Sequence, residues 1–280
     1  MIDLMKKSVL IILATILILM IPGCNKSPEN YGSGRMIIKI TDAPFPIDKI
    51  ESAWVTITKV EVRKAGDGIP DGNPFITVAE DTKTFNLIDL RNGVTADLAN
   101  IEIPAGKYNL VRLYVSEAGL VTKDGDSHKV KVPSGEQTGI KIFIRPEITV
   151  EGGLTSELLI DFDLSRSFIL RGNPDKPAGI NGFIFKPVIR AVNNTTTGII
   201  EGVVTDTVKA PINEATIWLE QDTVVSTTFS DASGHYTFLG VLADTYSLSA
   251  VKENYDTLMY SGVKVTEGNR TIRDFILKIK

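Results

Sequence analysis

Two aspartates spaced two residues apart are the sharpest candidates for chemistry in this chain. Asp161 and Asp163 lie in the segment SELLIDFDLS, where apolar residues occupy the alternate positions. On a β-strand, residues i and i+2 project to the same side, roughly 6 to 7 Å apart. Two carboxylates so placed could bind calcium or serve glycoside hydrolysis, whose carboxyl groups lie roughly 5 to 9.5 Å apart. They could equally solubilise the outward face, or pair with Arg166 and hold the next turn. Asp161 and Asp163 are therefore weak metal-site candidates.

Histidine-based catalysis has little support in the sequence. The chain contains two histidines, His128 and His235, at predicted turns or strand starts in different regions. It has no phosphate-binding glycine loop, HExxH motif or nucleophile elbow. We expect both histidines to be solvated, and we predict no catalytic residues, no cofactor and a protein that is not an enzyme.

Two tryptophans are the candidate ligand-binding residues. In EATIWLE, Trp218 has the parity opposite to Ile217 and Leu219, so its ring is expected to be at least partly exposed. Trp54, which shares its parity with Thr56, is the second candidate. A flat exposed ring can stack on a sugar, although a tryptophan can also cover a sheet edge or a domain interface.

Cys24, the only cysteine, is predicted to carry a lipid. It follows two lysines and the apolar run 8–21, a pattern typical of a secretory signal peptide. The run is short for a membrane-spanning helix, which needs about 20 apolar residues. Residues 21–24, IPGC, resemble the bacterial lipoprotein box, in which signal peptidase cuts before the cysteine and the thiol carries diacylglycerol. We predict a signal peptide at 1–23 and a polar tether at 24–34, with an uncleaved helical anchor as the alternative.

Beyond the tether, almost every segment has the period-2 pattern of a β-strand. Apolar residues alternate in GIKIFIR at 139–145 and in RDFILKIK at 273–280. KDGDSH at 123–128 predicts a hairpin turn, and a change of parity within VTITKVEV predicts a bulge near Thr58 and Lys59. Short helical turns are expected only at 41–53 and 94–101. The chain is predicted to be all-β, with sandwiches favoured over barrels because the strands are many and short.

The polar run AVNNTTTG at 191–198 is the clearest internal break. It predicts a β-sandwich domain at 35–192, a linker at 193–198 and a second β-sandwich domain at 199–280. In the second region, residues 230–234 predict a hairpin turn, with Asp231 in an Asx turn and Gly234 at positive φ. Tyr236 and Phe238 are then expected to point inward.

Both regions resemble known families. The second resembles the carboxypeptidase regulatory-like family, a transthyretin-like β-sandwich, through IIEGVVTD at 199–206, SDASGHYTFLGV at 230–241 and DFIL at 274–277. The first resembles a bacterial and archaeal lipoprotein domain family of unknown function, which implies a β-sandwich but no reaction. Its motifs are TDAP (41–44), KVEV (59–62), IDLRNG (88–93), IPAGKYNLVRLYV (103–115), VPSGEQTGIKI (132–142), DFDLSRS (161–167) and FKPVIR (185–190).

One short pattern occurs in both regions. IPAGKYNLVRL and VLADTYSLSAV each place a tyrosine two residues before a leucine after a small-residue turn, Tyr108 in the first and Tyr246 in the second. The recurrence indicates either a corner shared by two sandwich domains or chance, because this pattern is common in β proteins.

The sequence favours a lipid-anchored cell-envelope protein with non-catalytic binding or structural domains. Its formal net charge of −4, with both signs interspersed, predicts no nucleic-acid partner. The expected partners are the membrane, through the lipid on Cys24, and a glycan or an envelope protein. In a Gram-negative cell, Asn25 after the cysteine favours the outer membrane, because an aspartate there resembles an inner-membrane retention signal. The alternatives are a carbohydrate-binding accessory lipoprotein, resting on fold analogy, and an envelope hydrolase that uses paired carboxylates.

Overall fold

Strands dominate the chain, so the all-β prediction is confirmed. The computed structural model describes residues 32–43, 50–66, 75–132, 136–172 and 180–280, and Cys24 with the predicted signal peptide lies outside these ranges. Within these ranges, the first domain has twelve strands: β1 Ser33–Ala43, β2 Ile50–Lys64, β3 Phe75–Ala79, β4 Lys83–Asn86, β5 Ala96–Pro104, β6 Gly106–Thr122, β7 Ser127–Val130, β8 Ile140–Val150, β9 Thr155–Asp163, β10 Phe168–Gly172, β11 Ile180–Phe185 and β12 Ile189–Asn193.

Ten of these strands form one folded sheet in the order β3-β2-β6-β8-β12-β9-β1-β5, with β4 on β2 and β7 on β6. The strand β8 joins two halves, because it pairs with β6 along much of its length and meets β12 at Ile144 and Ala191. We call β3-β2-β6-β8 the front half and β12-β9-β1-β5 the back half. Apolar residues of both halves line one continuous core, among them Ile38, Val55, Tyr108, Leu113 and Phe162.

Local expectations in the first domain have mixed outcomes. The predicted bulge is confirmed, because the register of β2 against β6 shifts on both sides of Ile57, and Val55 and Val60 are both buried. The hairpin between β6 and β7 is also confirmed, with Gly125 at φ +89°. The helical turn expected at 94–101 is wrong: most of that segment lies in β5, whose pairing with β1 overrides local propensity.

The connection between the domains is short and tied to the back half. A four-residue helical turn, α1 (Leu164–Ser167), leads into the β10–β11 ribbon, and β12 returns antiparallel to β9. The predicted linker then contains a 3₁₀ turn at Asn194–Thr196. Asn194 Nδ2 donates to Glu157 Oε1 at 2.6 Å, and Thr195 Oγ1 accepts from the Glu157 N–H at 3.0 Å. The linker is therefore fixed against the start of β9.

The second domain is a sandwich of two four-stranded sheets with its own core. Its strands are β13 Gly198–Asp206, β14 Thr216–Glu220, β15 Val224–Phe229, β16 His235–Val241, β17 Thr245–Val251, β18 Leu258–Lys264, β19 Arg270–Ile272 and β20 Phe275–Leu277. One sheet has the order β16-β13-β19 with β20 also on β13, and the other has the order β15-β14-β17-β18. The core includes Ile200, Ile217, Tyr236, Leu248 and Phe275.

The turn at 230–234 differs from the prediction in one respect. Asp231 Oδ1 accepts from the N–H groups of Ser233 and His235, at 2.9 and 3.0 Å, and Gly234 has a φ of +79°. Tyr236 is buried, as predicted. However, the turn is not a hairpin, because β15 and β16 belong to different sheets. It is a corner that carries the chain from one sheet to the other.

A tyrosine fixes the same kind of crossing in both domains. Tyr108 donates its hydroxyl proton to the carbonyl oxygen of Pro104 at 2.7 Å, where the chain passes from β5 in the back half to β6 in the front half. Tyr246 donates to the carbonyl oxygen of Leu242 at 3.0 Å, where the chain passes from β16 to β17. Both rings are buried, and burial raises the pKa of Tyr108 to about 12. The recurring sequence pattern is therefore a shared tyrosine corner.

Candidate functional site

Strand register brings four of the quoted motifs together at one end of the back half. The parallel pairing of β1 with β9 sets Thr41 opposite Asp161, and the antiparallel pairing of β9 with β12 sets Asp161 opposite Arg190. These three side chains form one row across adjacent strands on the face turned away from the first core. The IDLRNG segment joins them, because Thr41 Oγ1 donates to the carbonyl oxygens of Leu90 and Val94, each at 2.9 Å. We call Thr41, Asp42, Asp161 and Arg190 the polar junction.

Asp161 forms an ion pair inside this junction. Its Oδ2 accepts from Arg190 Nη2 at 2.6 Å and from Nε at 3.2 Å, and only 8% of the residue is exposed. The expectation that Asp161 faces water is therefore wrong. The physical reason is that the second domain covers the outer face of β9, where Leu159 is also fully buried.

Asp163 has a different local role from Asp161. Its Oδ1 accepts from the N–H of Arg166 at 3.0 Å and so caps α1, and its Oδ2 lies 3.7 Å from the Arg166 guanidinium. The cap matches the alternative in which an aspartate holds the following turn. Within the described ranges, no group of three or more His, Cys, Asp or Glu side chains is placed to hold a metal ion. Calcium binding by these two residues stays a prediction.

Asp42 is the unexpected acid of the junction. It lies opposite Phe162 on the core side of β1, and its Oδ1 accepts from the N–H of Leu164 at 3.2 Å. Its buried Oδ2 has no hydrogen-bond partner among the described residues. Burial first, and then the charge of Asp161, raise the pKa of Asp42 well above its ordinary value. The side chain is therefore held toward its neutral, protonated form.

The second domain closes over the polar junction. Asn92 bridges the two domains, because its Nδ2 donates to the carbonyl oxygen of His235 and its Oδ1 accepts from Thr228 Oγ1, both at 3.2 Å. Gly240, at φ +63°, fits tightly over the back half, since a Cβ there would lie 2.6 Å from Val192 Cγ2. The cavity left between the domains measures about 20 Å³, enough for roughly one water molecule. The polar junction thus lies at a close contact between the two domains.

Three other motifs meet on the outer face of the front half. Cross-strand pairing places Glu61, Arg112 and Lys141 in one row across β2, β6 and β8, and Arg63, Leu110 and Phe143 in the next. Lys59 and Tyr114 face each other in a third row. We call this surface the basic–aromatic face: Lys59, Glu61, Arg63, Phe75, Arg112, Tyr114, Lys141, Phe143, Arg145 and Glu147.

Glu61 is the hub of this face. Its carboxylate accepts from Lys59 at 2.8 Å, from the Tyr114 hydroxyl at 3.0 Å and from Arg112 Nη1 at 3.2 Å. Burial opposes ionisation, but hydrogen bonds from Lys59 and Tyr114 and the charges of Lys59 and Arg112 outweigh it and lower the pKa of Glu61. The Arg112 guanidinium lies 3.6 Å from the centre of the Phe75 ring, and Lys59 Nζ lies 4.2 Å from that of Tyr114. Contacts with Glu61 and with the two aromatic rings therefore hold Lys59 and Arg112 in place.

The predicted ligand-binding tryptophans lie in different domains and are both half-buried. Trp218 stands on β14 between Thr227 of β15 and Ser249 of β17, on the outer face of its sheet. The Trp54 ring lies against Gly119 of β6, where a Cβ would come within 2.6 Å of its Cζ2. The structure therefore does not bring them into one site.

The two histidines have separate environments. His128 is half-buried and lies edge-on to Phe183, with ring centres 5.3 Å apart, so it is less exposed than expected. His235 is exposed, as expected. In the part of the chain that the structure describes, no helix is long and apolar enough to cross a membrane.

Sequence reasoning missed the arginines that organise both clusters. Arg112 and Arg190 each stand as a single charge in an otherwise apolar stretch, LVRLYV and PVIRAV. A lone arginine in such a stretch is a usable signal, because a charge at a mostly covered position requires a partner. The identity of the partner depends on pairing with distant strands.

Comparison with protein families gives two matches, one after the other along the chain. The family described as "Domain of unknown function (DUF4382)" matches residues 33–187, and the family described as "Carboxypeptidase regulatory-like domain" matches residues 199–278. No curated protein matches the chain significantly.

Solved structures give only distant likenesses. The Bacillus anthracis TIE protein is 12% identical over 89% of this chain and 34% of its own, with a TM-score of 0.26. This chain thus spans about a third of that protein's length. The shaft pilin SpaA of Lactobacillus rhamnosus GG, as its D295N mutant, is 11% identical over 89% of this chain and 99% of its own, with a TM-score of 0.26. A C-terminal fragment of the pilus adhesin SpaC from the same organism is 10% identical over 88% and 98%, with a TM-score of 0.25. TM-scores this low do not establish a common overall fold.

Proposed function

The chain belongs to the DUF4382 family and continues into a carboxypeptidase regulatory-like domain, and from this premise we propose that it is a lipid-anchored cell-envelope protein with non-catalytic binding or structural domains. The two β-sandwiches act together as a rigid body held near a membrane. The binding partner is a glycan or another envelope protein.

The interface between the domains is the observation that carries this proposal. Asn92 bonds to two strands of the second domain, and Gly240 fits against Val192 and Leu159 of the first. The Asp161–Arg190 ion pair lies beneath this contact. The Asp161–Arg190 pair thus links β9 to β12 within the first domain, while Asn92 and Gly240 make the contacts to the second. Fixed orientation suits a protein that presents a surface.

The anchor is tested by the substitution Cys24→Ser in the full chain. Because the thiol is the proposed site of acylation, we expect uncleaved precursor and loss of partitioning into the detergent phase of a Triton X-114 extraction. Ser27→Ala, in the same tether, is the matched control and should partition as the wild type does. Unchanged partitioning of Cys24→Ser with the peptide still attached would instead make residues 8–21 the anchor. In a Gram-negative host, density fractionation should place the wild type in the outer membrane.

A carbohydrate-binding role is the second candidate, and the position of Trp218 favours it. The ring lies in one row with Thr227 and Ser249, and Ser249 Oγ donates to Glu220 Oε2 at 3.1 Å beside it. An aromatic ring next to paired hydroxyl and carboxylate groups is suited to a sugar. Glycan-array binding that Trp218→Ala abolishes and Trp54→Ala preserves would support this role. Hydrolysis of a glycan that Asp161→Asn abolishes would overturn both candidates.

A further inference from the structure

The basic–aromatic face concentrates positive charge on a protein whose formal net charge is −4. Its cations are Lys59, Arg63, Arg112, Lys141 and Arg145, and its carboxylates are Glu61 and Glu147. Glu61 is engaged by Lys59, Arg112 and Tyr114, and the two carboxylates together offset only part of the charge of the five cations. The face is therefore cationic, and the rest of the molecule repels polyanions that would bind elsewhere.

Aromatic rings alternate with these cations. Phe143 is 55% exposed on β8, just before the register of β8 against β6 shifts. Arg145 lies over its ring, with 5.6 Å between the guanidinium carbon and the ring centre. Phe75 and Tyr114 carry the two other cation–ring contacts of the same face. When a flat apolar surface of a ligand covers an exposed phenylalanine, apolar area is removed from water, and this favours binding.

The cations nearest Phe143 make fewer hydrogen bonds within the protein than those around Glu61. Arg63 Nε donates to Asn109 Oδ1 at 3.0 Å, which leaves its terminal nitrogens without a hydrogen bond to another described residue. Lys141 and Arg145 are exposed. Arg112 Nε is buried with no hydrogen-bond partner among the described residues. Arg63, Lys141 and Arg145 thus offer accessible donors around one exposed ring, whereas the buried Arg112 Nε does not.

We propose that the basic–aromatic face binds an acidic polysaccharide, with the ligand's carboxylates on Arg63, Lys141 and Arg145 and a sugar ring against Phe143. The inference rests on the binding role proposed above, but it does not depend on the anchor at Cys24. The proposed binding face contains neither Trp54 nor Trp218.

Mixed charge on the face selects a polysaccharide over a phosphate polymer or an anionic lipid surface. Glu147 accepts from Asn109 Nδ2 at 3.5 Å, a distance that leaves its carboxylate open to stronger donors. A sugar hydroxyl can donate to that carboxylate, whereas an ionised phosphate diester or carboxylate group has no proton to donate, so the acceptor favours a ligand with hydroxyl groups beside its charges. A ligand that carries both hydroxyls and carboxylates matches the donors, the acceptor and the ring together.

The test measures binding of fluorescent polygalacturonate oligomers to the full chain in mild detergent, with neutral dextran oligomers as the uncharged probe. The variant Lys141→Gln/Phe143→Ala removes one exposed cation and the exposed ring. Because each exposed contact of this kind is modest, we expect about tenfold weaker binding from their combined loss. The matched control, Lys264→Gln/Met259→Ala, removes an exposed lysine and an exposed methionine from the second domain and should bind as the wild type does.

Several results would decide against the inference. Equal polygalacturonate binding by both double variants would exclude the face, as would equal binding of dextran and polygalacturonate by the wild type. Tighter binding of single-stranded DNA or monomeric dihexanoyl phosphatidylglycerol would replace the polysaccharide with a phosphate ligand.

Weaker polygalacturonate binding in added salt, with unchanged thermal unfolding of both variants, would support the proposed ionic contacts. Loss of detergent partitioning in Cys24→Ser tests the anchor separately, because this binding assay does not require it.

Discussion

Replacing Asp42 by asparagine should make the first domain less sensitive to pH. The Asp42 carboxyl is buried, and it accepts one hydrogen bond from the N–H of Leu164 through Oδ1. Asparagine keeps that acceptor but cannot ionise. The substitution therefore removes the cost of charging a buried group beside Asp161 while leaving the hydrogen bond to α1 in place.

The sign and size of the change in unfolding free energy with pH follow from the raised pKa of Asp42. Burial, and then the charge of Asp161, hold it well above its ordinary value of 3.8. Above pH 3.8 the unfolded chain loses this proton and the folded chain keeps it. The free energy of unfolding of the wild type therefore falls as pH rises, until the folded pKa is passed. One group contributes a slope of at most about 1.4 kcal/mol per pH unit. Below pH 3.8 both states hold the proton, and the difference between wild type and Asp42→Asn is constant.

Urea unfolding at pH values between about 4 and 8 measures this slope. Steps of about one pH unit suffice, because the full effect of one group is about 1.4 kcal/mol per unit. The chain has two tryptophans, one in each domain, so a Trp218→Phe background leaves Trp54 to report on the first domain. The free-energy advantage of Asp42→Asn should grow with pH and then level off. The control Asp97→Asn changes an exposed aspartate on β5. An advantage that is constant across the series, or that shrinks as pH rises, would refute the assignment of a raised pKa to Asp42.

Two further predictions concern hydrogen bonds that fix sheet crossings and the domain interface. Tyr108→Phe and Tyr246→Phe should each lower the unfolding free energy of their own domain by about 1 kcal/mol, because each loses one buried hydrogen bond to a carbonyl oxygen; denaturant unfolding of Tyr260→Phe should be nearly unchanged. Asn92→Ala and Thr228→Val should be coupled by about 0.5 to 1 kcal/mol in a double-mutant cycle, since they remove the same contact between domains. Strictly additive effects would mean that the Asn92–Thr228 bond does not form in solution.

The strands were predictable because their signal is local. A residue and its second neighbour share one face, so Ile140, Ile142 and Ile144 could be assigned inward without knowledge of any partner strand. The bulge in β2 was also local, since the change of parity lies within eight residues. The segment 94–101 failed because the strand β5 is formed by pairing with β1, and nothing within the segment records that pairing.

Asp161 shows why parity alone could not locate the polar junction. The alternation of residues correctly places Asp161 on the opposite face of β9 from Ile160 and Phe162. It does not show whether that opposite face meets water or another part of the protein. Whether the second face meets water depends on the docking of a domain that begins more than thirty residues later in the sequence. Arg190 becomes its partner through antiparallel pairing of β9 with β12, and Thr41 through parallel pairing with β1.

The tyrosine corners and the polar junction therefore differ in the distance over which they are encoded. Each corner needs a hydroxyl and a carbonyl oxygen four positions apart in the sequence, so a short local segment contains the whole contact. The junction needs Thr41, Asp161 and Arg190 in one register, together with Asn92 reaching the second domain. A motif such as TDAP has no chemistry that can be assigned from its own residues, because its threonine bonds to Leu90 and Val94 and its aspartate to Leu164. Its physical role in this chain is to join the back half to the segment that holds the second domain.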